Sequence, residues 1–143
     1  MSLTRLYIDQ RLSTGATLRL DGDQARYIGR VLRLRPGDLV RVFNGNDGEF
    51  DDRLQKVTKA SAELLVEEPV ATATESSLRL QLVQGISRGE RMDFVVQKAT
   101  ELGVKRITPV LTEYGMVKLD EKRAAKRRDH WQAVAESACE QSG

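Results

Sequence analysis

Arg26, Arg30 and Arg33 stand at i, i+4 and i+7, so a helix through them would hold all three on one face. Arg35 follows at once. A guanidinium fork fits phosphate oxygens in a bidentate way, so the stripe could grip a nucleic-acid backbone. The same spacing also suits a solvated face paired with Asp23, Asp38 or Glu49. A second basic cluster comprises Lys122, Arg123, Lys126, Arg127 and Arg128. Its like-charge pairs at i, i+4 disfavour an isolated helix slightly. That cost points either to an anionic partner or to a plain solvated face. His130 lies beside the cluster and could act as a base or simply be an exposed helical histidine.

Other chemistries find little support. The chain has 1 His and 1 Cys, too few for the usual zinc sites. No phosphate-binding GxxxxGK[ST] or dinucleotide GxGxxG pattern occurs. Asn44-Gly45-Asn46-Asp47-Gly48 lacks a correctly spaced bidentate Glu for calcium and reads as a hairpin turn. The formal net charge of +2 gives no global polycation argument, and 5% aromatics do not make a stacking platform of several rings. The lone Cys139 fits a reducing, cytoplasmic setting. No apolar run has membrane-spanning length, and the N-terminus has no signal-peptide core.

These residues need elements to position them. The first half reads as short strands at Leu6-Tyr7-Ile8, residues 17–20, 39–43, 49–58 and 62–67. A helix over residues 24–33 is inserted, with Asp21 and Asp23 as N-cap candidates. Arg35-Pro36-Gly37-Asp38 reads as a turn. Strands at such spacing predict a small β-barrel over residues 1–70. Residues 71–77 are small and polar and read as a linker. From residue 78 to 143 the pattern becomes strand, helix, strand, helix, the grammar of a parallel βαβ unit. Met92, Val95, Val96, Ala99 and Leu102 predict one buried helical face, ended by Gly103. A last helix over about residues 120–142 should bury Trp131, Val134, Ala135, Ala138 and Cys139. Two parallel strands do not complete an α/β sheet, so some apolar surface is expected to be exposed or shared with another chain.

Several stretches, in order, resemble the 16S ribosomal RNA uridine-N3 methyltransferases, two-domain members of the SPOUT class. They are Ile28-Gly29-Arg30-Val31-Leu32-Arg33 with Pro36-Gly37-Asp38, Phe43-Asn44-Gly45, and Ser87-Arg88-Gly89-Glu90-Arg91-Met92. Gln97-Lys98-Ala99-Thr100-Glu101-Leu102-Gly103-Val104, Ile107-Thr108-Pro109, Val117-Lys118-Leu119 and Ala138-Cys139-Glu140-Gln141-Ser142-Gly143 complete the set. The resemblance implies an N-terminal PUA-like RNA-binding barrel with an inserted helix. It implies next the first βαβα part of a SPOUT (α/β knot) domain, truncated before the knot. The implied activity is methyl transfer from S-adenosylmethionine (SAM) to N3 of a uridine in 16S ribosomal RNA. A homodimer through the SPOUT domain is implied as well. The cofactor pocket is expected C-terminal to Gly143, so this chain is expected to be inactive alone. Tyr27 and Tyr114 stand where the family commonly has His and Arg, which bears on the RNA contacts.

For that reaction N3 must lose a proton. A base or a positive field is needed, because N3 is a weak acid in water. Arg88, Arg91 and Lys98 are candidates for the field, Glu101 and Glu140 for the base. Lys98 and Glu101 could equally be a helix-surface pair. The expected RNA contacts are Arg26, Arg30, Arg33 and Arg35, then Lys122, Arg123, Lys126 and Arg127. The rival reading is a PUA-like module that binds RNA without chemistry.

Overall fold

The computed structural model describes residues 3–71 and 78–142. Residues 72–77, the core of the expected linker, lie outside the described set. The chain divides into two compact units, Met1–Ala73 and Thr74–Gly143.

The first unit is a five-stranded sheet. In chain order its strands are β1 (Arg5–Tyr7), β2 (Thr17–Asp21), β3 (Leu39–Phe43), β4 (Glu49–Val57) and β5 (Ser61–Val70). They lie in the order β1-β3-β4-β5-β2. β1 runs parallel to β3, and the other pairs are antiparallel. The sheet curls, helped by register shifts in β4 between Asp51 and Asp52 and between Leu54 and Lys56. Strand alternation sets the core. Phe50, Asp52 and Leu54 of β4 face in, as do Ala62, Leu64 and Val66 of β5. They meet Leu18, Leu20, Val40 and Val42 in one buried cluster. The expected barrel is not a closed one, since β1 and β2 remain the two edges of the sheet.

The turns are locally specified. Arg35–Asp38 closes with Asp38 N–H donating to the Arg35 carbonyl at 3.0 Å, and Gly37 takes φ 98°. In the β3–β4 connection, Asn44 Oδ1 accepts the N–H groups of Asn46 and Asp47 at 2.9 and 2.8 Å. Asp47 in turn accepts the Leu12 N–H at 2.8 Å. That hydrogen bond is the main reason its carboxyl titrates below the ordinary range.

The inserted helix departs from expectation. It is α-helical only over Gly22–Arg26 (α1) and widens into a π-helical turn over Tyr27–Val31. The Leu32 N–H reaches back five residues to the Tyr27 carbonyl at 2.9 Å. Arg33 follows at φ 56°, beyond the helical turns, so it does not extend a straight i, i+4, i+7 stripe. The cause is the apolar anchoring of this segment. Ile28 is buried, and Leu32 and Leu34 pack on the same core, which draws the chain down onto the sheet. Gly29 lets the backbone approach β4, for a Cβ there would sit 3.1 Å from Val57 Cγ2. Asp21 precedes α1 but makes no side-chain cap bond.

The second unit pairs β6 (Gln81–Gly85) with β7 (Arg106–Val110) in parallel, in register from Gln81↔Arg106 to Gly85↔Val110. Between them lies α2 (Glu90–Glu101), and after them α3 (Glu121–Ser142). Met92, Val96 and Trp131 form the buried cluster, with Ile86, Ile107, Val134 and Ala135 packed against it. Leu102 is not part of that face. It is 79% exposed, because α2 ends at Glu101 and Gly103 takes φ 81°. Leu80, Val83 and Leu111 are also exposed, at 51%, 67% and 51%. Apolar surface of that kind is what two parallel strands alone leave uncovered. Asp120 caps α3 by accepting the Arg123 N–H at 2.8 Å. Asp120→Ala should lower stability by about 1 kcal/mol. Urea denaturation followed by Trp131 fluorescence would show it, and an unchanged midpoint would remove the cap from the account.

Candidate RNA-contact surface and basic recess

On the first unit, most sheet arginines are engaged by the protein's own carboxylates. Arg5 pairs with Glu49, Arg41 with Asp51 at 2.9 Å, Arg53 with Glu67 at 2.7 Å, and Arg19 more loosely with Glu63 at 3.8 Å. Arg41 and Arg53 are held firmly protonated by hydrogen bonds to Asp51 and Glu67 respectively. Arg26 pairs with Asp23 within its own turn. Arg30, Arg33 and Arg35 differ. All three are exposed, and among the described residues none has a carboxylate partner. Glu49 is taken by Arg5, and Asp38 accepts the Arg35 backbone N–H at 2.7 Å rather than a guanidinium. So the pairing alternative holds for Arg26 and not for the other three. Arg30 also borders a shallow recess of about 290 Å³ with Gly29, Thr58 and Lys59.

The second unit has a larger recess, of about 690 Å³, past the C-terminal ends of β6 and β7. Ser87, Arg88 and Gly89 line it from the β6–α2 connection, and residues 116–119 from the β7–α3 connection. Arg123, Lys126, Arg127 and His130 line it from the first turns of α3. Two motif stretches that lie apart in sequence, Ser87-Arg88-Gly89 and Val117-Lys118-Leu119, thus meet on one cavity. Arg88 Nη2 approaches the Met116 carbonyl at 3.5 Å, across the two connections.

The remaining candidates divide. Lys98 pairs with Glu101 at 2.7 Å on the surface of α2, as the helix-surface alternative has it. Neither they nor Arg91, Lys122 and Glu140 line the recess. His130 is not merely a solvated helical residue. Its Nε2 lies 2.9 Å from Asp93 Oδ2, while Trp131 Nε1–H donates to Asp93 Oδ1 at 3.1 Å. Asp93 therefore ties α2 to α3, a role that sequence reading missed. Its spacing one position after Met92 shows it flanking the buried face, but its partners are 37 and 38 residues away. Among the described residues no group of three or more His, Cys, Asp or Glu could hold a metal ion. No helix among them is long and apolar enough to cross a membrane.

Residues 20–67 match the family described as the RNA methyltransferase PUA domain, and residues 74–143 the RNA methyltransferase domain. The chain belongs to this RNA methyltransferase family. Among its relatives, the ribosomal RNA small subunit methyltransferase E of Bacillus subtilis is 30% identical over 93% of this chain and 52% of its own length. A methyltransferase of Legionella pneumophila, solved with bound SAM, is 36% identical with a TM-score of 0.93. That match covers 100% of this chain and 59% of the other. The small subunit methyltransferase E of Neisseria gonorrhoeae, also solved with SAM, is 44% identical with a TM-score of 0.88, covering 99% and 58%. The chain spans about half the length of the curated relatives it matches.

Proposed function

We propose that this chain is the RNA-contacting and first methyltransferase-domain portion of an enzyme that methylates N3 of a uridine in 16S ribosomal RNA. The domain limits we assign are 1–70 for a PUA-like RNA-binding barrel, 71–77 for a linker and 78–143 for the start of the SPOUT domain. The observation that supports this reading best is the pair of matched families, each falling within one compact unit. The surface chemistry agrees: Arg30, Arg33 and Arg35 stand exposed without internal partners.

SAM would supply the methyl group. The residues of this chain do not fit it. SAM carries a sulfonium and an ammonium, while the one large recess among the described pockets is lined by cations and by no carboxylate. We therefore place the cofactor pocket in the part of the family fold that this chain does not span, and assign no transfer step to its residues. The 143-residue chain should show no heat on calorimetric titration with SAM. Micromolar binding would overturn that placement. A homodimer through the second unit, in the cytoplasm, completes the proposal. The exposed Leu80, Val83 and Leu111 supply apolar surface for burial against further chain or a partner.

N3 lies on the Watson–Crick edge, so the target must be unpaired or extruded, and its methylation blocks pairing. Reverse transcription should stop at the modified base. Deleting the gene should remove one such stop from 16S ribosomal RNA, and restoring it should bring the stop back. If no stop is lost, the activity is wrong and the RNA-binding module without chemistry becomes the better reading.

A further inference from the structure

We propose that the recess on the second unit is a phosphate-binding subsite that holds the RNA backbone at a uridine nucleotide, with Lys118, Lys126 and Arg127 as its ligands. The inference rests on the reading of the chain as part of an RNA methyltransferase.

Four observations carry it. First, Arg88, Lys118, Arg123, Lys126 and Arg127 line one cavity of about 690 Å³, and no Asp or Glu lines it with them. Second, Lys118, Lys126 and Arg127 have no carboxylate partner among the described residues, whereas Arg123 shares Asp120 at 3.5 Å and Arg128, outside the recess, faces Asp129. Third, α3 bears this charge against its own preference. The pairs 122–126 and 123–127 are like-charged at i, i+4, and they lie in the N-terminal part of the helix, where its dipole disfavours cations. A bound anion offsets both costs. Fourth, the cavity opens past the carboxyl ends of two parallel strands, the usual ligand position in α/β sheets.

The size and lining select a nucleotide over a bare anion. A phosphate alone fills a small part of such a volume. Ile86, Val117 and Leu119 add apolar wall beside the cations, as a ribose and base edge require. A phosphodiester held there would bring its nucleotide to the connections Ser87-Arg88-Gly89 and Val117-Lys118-Leu119, away from solvent on one side.

The test uses the isotope-labelled chain titrated with uridine 5′-monophosphate, uridine and inorganic phosphate, read by amide chemical shifts. The monophosphate should shift residues 87–89 and 116–119 and bind more tightly than either uridine or phosphate. Lys118→Gln with Arg127→Gln should weaken it about tenfold or more, the size of one lost ionic contact. Both side chains are exposed, so the fold should persist, and the unshifted amides of the first unit report on that. Equal binding of uridine and its monophosphate, or an unaffected double variant, overturns the subsite. Inorganic phosphate binding as tightly as the nucleotide overturns its assignment to RNA. If the recess behaves as expected but gene deletion removes no stop from 16S ribosomal RNA, the subsite stands and the methyltransferase reading falls.

Discussion

Asp52→Asn should leave stability near pH 4 almost unchanged and raise it at pH 8 by up to about 4 kcal/mol, from a shift of about three pH units. Asp52 sits on β4 between Val40 and Val66, fully buried in the apolar core of the first unit. Neither carboxyl oxygen has a hydrogen-bond partner among the described residues. Burial raises its pKa from 3.8 to about 7, and the nearby Asp51 and Glu67 push the same way. In the unfolded chain the group ionises near 3.8, so between 3.8 and about 7 the folded protein holds a proton that the unfolded one releases. Stability is therefore complete at acid pH, falls as pH rises through that window, and levels off above 7. The amide cannot ionise and loses this dependence. Other carboxylates titrate in both proteins, so the informative quantity is the difference between wild type and variant. Urea midpoints at four pH values would supply it. A difference that stays flat from pH 4 to pH 8 would mean that water or a partner satisfies the ionised carboxylate.

Arg30→Ala with Arg33→Ala should weaken binding to a 16S ribosomal RNA fragment by roughly tenfold for each lost phosphate contact. The slope of log affinity against log salt should flatten by roughly 0.9 per contact. Both side chains are exposed and unpaired among the described residues, so little folding energy is at stake. Arg33 even stands at φ 56°, where a side chain strains the backbone, a feature that often marks a functional position. Arg26→Ala serves as the contrast. Its guanidinium is held by Asp23, and its loss should cost less RNA affinity. Should the double variant unfold while its folded remainder binds RNA normally, the arginines are structural, and residues 122–127 become the surface to examine.

Much of the local structure is legible in the residues. Period-two alternation marks β3 to β5, the Asn44 to Gly48 connection announces a hairpin, and Asp120 and Gly103 bound the helices they should bound. These are interactions among near neighbours, and sequence order contains them. The alternation even places Asp52 inward with Phe50 and Leu54, a signal present in the strand though easily passed over beside two flanking charges.

Other features were settled only in three dimensions. Nothing local separates Arg53 from Arg30. One meets Glu67, 14 residues away on the adjacent strand, and the other meets no carboxylate. The helical stripe failed for a related reason, because packing of Ile28, Leu32 and Leu34 on the sheet widened the turn and ended it before Arg33. Lys118 and Lys126 likewise join Ser87-Arg88-Gly89 on one cavity only because β6 and β7 lie in parallel register. The sequence by itself determined the elements, the turns and the family. Tertiary structure decided which charges remain free to meet RNA, since long-range pairing and burial depend on contacts that no local period records.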